Sequence, residues 1–517
     1  MQILEDKALV FKTRTPERYS VIPKHKVIER DDGGYDVAVY WGLDECRVLR
    51  NLGVKDVPSP ITRKYHWPGR YKPMKHQIET SAFLTMNRKA FVFSEPGTGK
   101  TLSALWAADY LMQRSEVRRC LILCPLSIMH SAWMADLNNS IIHRSAIVAH
   151  HAQASRRIEM IQQDYEFVIT NYEGLNLIAD EINADGRFDL IIVDEANAYK
   201  TVTTRRWKAL KSIIKPSTHV WMMTGTPASQ SPVDAYGLAK IVNPDSVPRF
   251  FGSFRDKVMT KLSMYKWVPK HDSKDVVHKI LQPAIRFTKA ECLDLPDLLY
   301  TTREVPLTAQ QAKYYDAIRK QMATIAAGEE ITATNAAAML NKLLQISQGS
   351  AYTDNRDVVE FDVSNRYRAL TEVIEGTEHK VLVFMPFRHS LQMVQDMLIK
   401  DGYTVDAIHG DVSPTRRGEI IKRFQTEDTP QVLLLVPQAT AHGITLTRAD
   451  QVVWWGPVAS TELYIQANSR AHRAGQTNKV TVTHLQGSPV ERRMYTLLQG
   501  KVDLHLSLVE LYRQEIA

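Results

Sequence analysis

The chain has 517 residues, 44% hydrophobic and 24% charged, with 23 glycines and 23 prolines; this balance excludes a disordered, collagen-like or linker-dominated protein and suggests roughly three to four domain-sized units. Lysine and arginine number 65 against 57 acidic residues, a formal charge of +8, a modest excess that favours a polyanionic partner. Four cysteines, Cys46, Cys120, Cys124 and Cys292, are too few for a disulfide framework in such a chain and include no Cys-x-x-Cys pair, so a reducing compartment is the simplest reading.

At the N-terminus, MQILEDKALVFKTRTPE scatters both signs of charge where a signal peptide needs an apolar core. No apolar run approaches the roughly 18–20 residues of a membrane helix. The expectation is a soluble, non-exported protein, cytoplasmic in a prokaryotic cell or phage-infected host and nuclear in a eukaryote. KVIERDDGGYDVAVYW predicts a hairpin around an Asp-Gly-Gly turn, so residues 1–70 read as a small α+β domain. The proline-punctuated VPSPITRKYHWPGRYKP links it to the next domain.

Short apolar runs then recur at residues 90–93, 120–124, 167–170, 190–193 and 220–223, apolar on both faces as in strands buried within a parallel sheet. Helical stretches such as TLSALWAADYLMQR separate them. Strand and helix in alternation predict a doubly wound α/β lobe over residues 71–227. Residues 228–378 are alanine-rich and mostly helical in pattern, too long for a loop and read as a helical insertion and interlobe linker. The alternation resumes at 381–385, 405–408, 432–436, 452–455 and 480–484, giving a second lobe over residues 379–500, followed by a C-terminal helix at 501–517.

SEPGTGKT, residues 94–101, follows an apolar strand and opens a helix, the context a phosphate-binding loop requires. Gly97 and Gly99 let backbone N–H groups turn inward, and the helix N-terminus adds its positive end. Lys100 then reaches the β- and γ-phosphates, and the Thr101 hydroxyl ligates Mg²⁺. Pro96 and Thr98 complete the cradle. The usual pattern has glycine where this chain has Ser94, which is small enough for the loop to close. The alternative is a glycine-rich strand-to-helix turn without a ligand.

LIIVDEAN puts Asp194 and Glu195 at the C-terminal end of a buried strand, where ligands sit in doubly wound folds. Asp194 suits Mg²⁺, and Glu195 beside it suits a general base for water. Alone, such a pair reads as a solvated turn; beside Lys100 it reads as the second half of an ATP site. STELYIQANSRAHRAGQ predicts one helix from 460 to 476, with Gln466, Arg470 and Arg473 at i, i+4 and i+7 and an alanine stripe at Ala467, Ala471 and Ala474. The arginines read as fingers completing the γ-phosphate site or as a solvated basic face. Cys120 and Cys124 lie on one strand without a second ligand pair, so no structural zinc is expected.

In order, the chain carries KPMKHQIE, SEPGTGKT, LILCPLSIMHSAW, VITNYEGL, IIVDEAN, MMTGTP, KVLVFMPF, IHGDVSPTRRGEIIKRFQ, ATAHGITLTRADQVVWW and QANSRAHRAGQ. This series, from about residue 72 to 500, resembles the superfamily 2 helicases of the Swi/Snf-type DNA-dependent ATPase family. The resemblance implies two RecA-like lobes that use ATP and Mg²⁺ to translocate on DNA. Carried over by motif position, it implies that Gln77 contacts adenine and that Gln466 and Gly443 join the nucleotide set. Thr224 and Thr226 couple hydrolysis to DNA, and Arg470 and Arg473 are the fingers. Ser127, Thr170, Asn171, Arg388 and Thr445 are the candidate phosphate-backbone contacts to DNA.

Departures from the family pattern are Asn197 in place of histidine, His442 in place of glycine, and VVWWGPVAS without the usual acidic and Trp-Asn-Pro residues. They point to a divergent, minimal member of the phage or prokaryotic kind. The expected function is a duplex-DNA translocase. A strand-separating or branch-migrating helicase, and a scaffold that has lost turnover, are the alternatives.

Overall fold

A computed structural model describes residues 1–500, apart from 226, 229–230, 263–266, 293–294, 329–332, 353–356 and 441–443. The expected C-terminal helix at 501–517 therefore lies outside the described residues. The chain divides into two compact units, Met1–Cys292 and Leu293–Ala517.

In the first unit, a seven-stranded sheet runs in the order Ala284–Ile285, Lys89–Val92, His219–Met223, Phe188–Val193, Arg119–Leu123, Phe167–Thr170 and Ala146–Val148, with every neighbouring pair parallel. Its side chains alternate between two apolar cores. Ala90, Val92, Cys120, Ile122, Leu190, Ile192 and Trp221 enter one, while Phe91, Leu121, Leu123, Ile191, Val193 and Met222 enter the other. Burial on both faces is why these strands read as unbroken apolar runs.

An antiparallel sheet precedes it, ordered Gln2–Leu4, Ala8–Thr13, Tyr35–Tyr40, His25–Glu29. The expected hairpin is present: Gly33 at φ 71 and the Arg30 N–H donated to the Gly34 carbonyl at 2.9 Å close its turn. Leu9, Val37, Val39, Trp41 and Leu49 of this region share one apolar core with Leu84, Met86 and Trp106.

The second unit holds a six-stranded parallel sheet in the order Leu298–Glu304, Val480–Gln486, Ala449–Trp454, Lys380–Phe384, Val432–Leu435 and Val405–Ile408. It too is buried on both faces, by Leu382, Phe384, Leu433 and Val452 on one side and Val381, Val383, Leu434 and Val453 on the other. Both units are thus doubly wound α/β lobes.

The stretch 228–378 contains long helices, Ala309–Gly328 and Ala333–Gln348, but it also supplies Ala284–Ile285 to the first sheet and Leu298–Glu304 to the second. Among the described residues no helix is long and apolar enough to cross a membrane.

Candidate nucleotide site

The strand Lys89–Val92 delivers the chain to SEPGTGKT, and the helix Lys100–Gln113 leaves it, with Gly99 at its N-cap in the left-handed region (φ 77, ψ 32). A Cβ on Gly99 would be strained at this φ and would lie 2.1 Å from Gln77 Nε2, so that side chain would have to move. Gly97 is left-handed as well (φ 89). The loop is braced from several sides. Lys100 Nζ donates to the carbonyls of Ser94 (2.7 Å) and Glu95 (3.1 Å), and Thr98 Oγ1 donates to Glu95 O at 2.8 Å. The carbonyl of Thr98 takes a bond from His76 Nε2 at 2.8 Å, so that ring nitrogen carries a proton.

Gln77 is buried beside the loop. Its Oε1 accepts from the Met74 N–H at 2.8 Å and caps the helix Lys75–Met86. Ser94, the departure from the loop pattern, has a job of its own: its Oγ accepts from the Phe287 N–H at 3.1 Å. Glu95 N donates to Phe287 O at 2.9 Å, and Glu95 Oε2 accepts from the Lys289 N–H at 3.0 Å. The loop is therefore stitched to the backbone just beyond Ala284–Ile285.

Two strands away, Phe188–Val193 ends at Asp194, which is buried. Its Oδ1 accepts from the Glu195 N–H at 3.0 Å and its Oδ2 from Trp133 Nε1 at 3.0 Å. Its backbone carbonyl accepts from the Tyr172 hydroxyl at 2.6 Å. Burial pushes the Asp194 carboxyl above the usual carboxylate range, and the charge of Lys100 acts against that rise. Glu195 holds a left-handed backbone (φ 46, ψ 54), a conformation that costs a non-glycine residue of order 1–3 kcal/mol and collects at functional sites. Thr224 is buried, its N–H donated to Val92 O at 3.0 Å, and a Cβ on Gly225 would meet Pro96 Cδ at 2.8 Å. The segments after Ala284–Ile285 and His219–Met223 thus both pack on the phosphate loop. Thr226 lies outside the described residues.

The donor set suits Mg²⁺. Thr101 and Asp194 offer a hydroxyl and a carboxylate, both hard oxygens, and among the described residues no group of three or more His, Cys, Asp or Glu converges in a way that could hold a metal. A cation held by these two residues would take few protein ligands, the habit of Mg²⁺.

In the second unit, the expected helix 460–476 is shorter than its sequence suggests. It spans Thr461–Asn468, capped by Ser460 Oγ, which accepts from the Leu463 N–H at 3.2 Å. Tertiary bonds end it. The Arg470 carbonyl accepts from Leu446 N–H at 2.9 Å instead of continuing a helical ladder, and the Asn468 carboxamide accepts from Trp454 Nε1 at 2.9 Å. The alanine stripe is correspondingly cut: Ala467 and Ala471 are buried, but Ala474 is exposed. The arginines still converge, by a different route. Arg470 Nη1 and Arg473 Nη1 both donate to the Ile444 carbonyl, at 3.4 and 3.2 Å, and Gln466 is buried on the preceding helix. Gly443 and His442 lie outside the described residues.

The candidate DNA contacts divide. Asn171 is half-buried, accepting from Arg157 Nη1 at 3.2 Å, and Thr445 is half-buried. Arg388 is exposed and paired with Asp411. Ser127 lies on the short turn Leu126–Ile128. Thr170 is fully buried, and its hydroxyl is donated to Ala149 O at 3.1 Å. His76, Trp133, Tyr172 and Phe287 were not singled out by the sequence, although the first three stand inside its motif segments.

Family models match along most of this frame: the SNF2-related domain over residues 76–351 and the helicase conserved C-terminal domain over residues 365–475. The chain belongs to the SNF2-related family of helicase-like ATPases. Among relatives, Chromodomain-helicase-DNA-binding protein 1-like of Danio rerio is 26% identical over 444 residues, covering 80% of this chain and 41% of the relative. Protein p41 of Acyrthosiphon pisum secondary endosymbiont phage 1 is 25% identical over 422 residues, 77% of this chain and 89% of that protein. Among solved structures, the Sulfolobus solfataricus SWI2/SNF2 ATPase core in complex with dsDNA covers 87% of this chain and 96% of its own, at 22% identity and a TM-score of 0.42. This SNF2-related chain spans less than half the length of the chromodomain relatives it matches.

Proposed function

We propose that this SNF2-related ATPase is a DNA-dependent motor that moves on duplex DNA by Mg²⁺-dependent ATP hydrolysis. The observation that carries the reading is the pairing, in one chain, of a complete phosphate cradle beside a buried Asp194 with a second lobe whose two guanidiniums converge on one carbonyl. In this reading Gly97, Gly99 and Lys100 hold the phosphates, Thr101 and Asp194 hold the cation, and Glu195 takes the proton of the attacking water. Gln77 lies beside the adenine. Held by Thr101 and Asp194, Mg²⁺ would supply positive charge against the negative charge that develops on the phosphates. Arg470 and Arg473 supply the opposing positive charge once the lobes close, and Thr224 with Thr226 carries the state of the site toward DNA. The strand is gripped through phosphates from Asn171, Ser127, Arg388 and Thr445, without sequence reading.

The test is ATP turnover with single-stranded, duplex and forked DNA, run beside displacement of a triplex strand from intact duplex. Duplex-stimulated turnover with triplex displacement and no unwinding is expected. Activity confined to forks moves the chain to the strand-separating or branch-migrating class. Turnover that Lys100→Ala leaves unchanged would falsify the catalytic assignment.

A further inference from the structure

The aspartate read as the cation ligand is held by two buried aromatic donors, Trp133 at its carboxylate and Tyr172 at its backbone carbonyl, one from each of two segments read as facing a DNA strand. Trp133 is fully buried, and its Nε1–H donates to Asp194 Oδ2 at 3.0 Å. Tyr172, also buried, donates its hydroxyl to the Asp194 carbonyl at 2.6 Å. An indole N–H only donates, so Trp133 cannot trade roles with its acceptor. With Oδ1 taking the Glu195 N–H at 3.0 Å, the side chain and backbone of Asp194 are both fixed from outside their own strand.

Each donor is joined directly to its outer segment. Trp133 sits in the π-helical stretch Met129–Met134, which continues from the turn Leu126–Ile128, where Leu126 is 54% exposed. Such wide turns are rare and gather at functional sites. Tyr172 opens the helix Tyr172–Asp185, one residue after Asn171. A displacement of either outer segment is thus transmitted through a single rigid ring to the same aspartate.

We propose that Trp133 and Tyr172 are positioning residues that carry occupancy of these two segments by a duplex to Asp194, and so set how strongly DNA stimulates hydrolysis. The proposal rests on the reading of the chain as a DNA-dependent ATPase.

Tyr172→Phe removes a hydroxyl alone, and Trp133→Phe removes the indole donor while keeping a ring. Three measurements on the full chain decide the matter: affinity for a fluorescent ADP analogue as Mg²⁺ is titrated, affinity for a labelled duplex, and turnover with and without that duplex. In both variants, Mg²⁺-free nucleotide affinity and duplex affinity should match the parent. The Mg²⁺ midpoint should rise, and the ratio of stimulated to basal turnover should fall by about tenfold, the usual scale for partners that orient a metal ligand. A Mg²⁺ midpoint and a stimulation ratio both equal to the parent's overturn the proposal. So does a loss of duplex affinity in step with stimulation, which assigns the residues to the grip itself. Should Trp133→Phe fail to fold, Tyr172→Phe decides alone. A parent that no DNA stimulates overturns the functional reading and this one together, whereas a stimulated parent with fully stimulated variants overturns only the positioning role.

Discussion

Glu195 combines a carboxylate one residue from Asp194 with a left-handed backbone (φ 46, ψ 54). If it takes the proton of water, Glu195→Gln should retain nucleotide affinity and lose turnover by about 10²–10⁴-fold, the usual weight of a general base. Equal losses in binding and turnover would instead mark a structural role. A second residue speaks to pH. Burial, with the charges of Arg47 and Arg88 nearby, pushes the His219 imidazole down to about 4 from its ordinary 6.5. A base whose folded value is depressed binds its proton more readily in the unfolded chain, so it leaves stability untouched above about pH 6.5. It subtracts progressively as pH falls toward 4, by about 3 kcal/mol in all. His219→Leu should flatten the fall of the unfolding midpoint in that window and change it little at pH 8.

Among elements, the helices Ser364–Glu375 and Pro489–Leu498 are tied by a buried ion pair. Arg366 Nη2 reaches both Glu491 oxygens, at 2.8 and 2.9 Å, while Nη1 bonds the Trp455 carbonyl. Glu491 also accepts from the Gly487 and Ser488 N–H groups. Removing one member leaves a buried charge without its counter-ion, so Arg366→Ala should cost about 3–5 kcal/mol, read by denaturant unfolding; a double change to apolar residues should cost less.

The elements also show what a sequence can and cannot display. Strands such as Arg119–Leu123 and Val432–Leu435 were legible because burial on both faces leaves an unbroken apolar run. Leu298–Glu304 was not, because it lies at a sheet edge with most of its residues exposed, and LLYTTRE looks like a loop. Ala284–Ile285 is too short to carry any pattern. The overlong arginine helix erred for another reason: residue periodicity contains nothing about the Leu446 N–H that takes the Arg470 carbonyl. The phosphate loop and the Asp-Glu pair are local signals, each directly following a buried strand. Trp133 reaches its aspartate across 61 positions of chain, a relation that only folding creates.

At the scale of the whole molecule, the N-terminal sheet and the first lobe share one apolar core, so deleting residues 1–70 should lower solubility and thermal midpoint before any effect on DNA binding can be read. The two lobes carry complementary halves of the proposed chemistry. Arg470→Ala and Arg473→Ala should each leave ADP affinity near that of the parent and cut stimulated turnover by about 10³-fold or more, the scale of a lost arginine finger. Unchanged turnover in both would return these residues to a solvated basic face.

The two lobes are connected through residues 286–297, since Ala284–Ile285 already belongs to one sheet and Leu298–Glu304 to the other. Near the start of this connection, Phe287 is bonded to both Ser94 and Glu95. The turn that cradles phosphate is thereby moored to the last stretch of backbone before the chain leaves the first unit, so a change that loosens the mooring at Phe287 reaches the cradle directly.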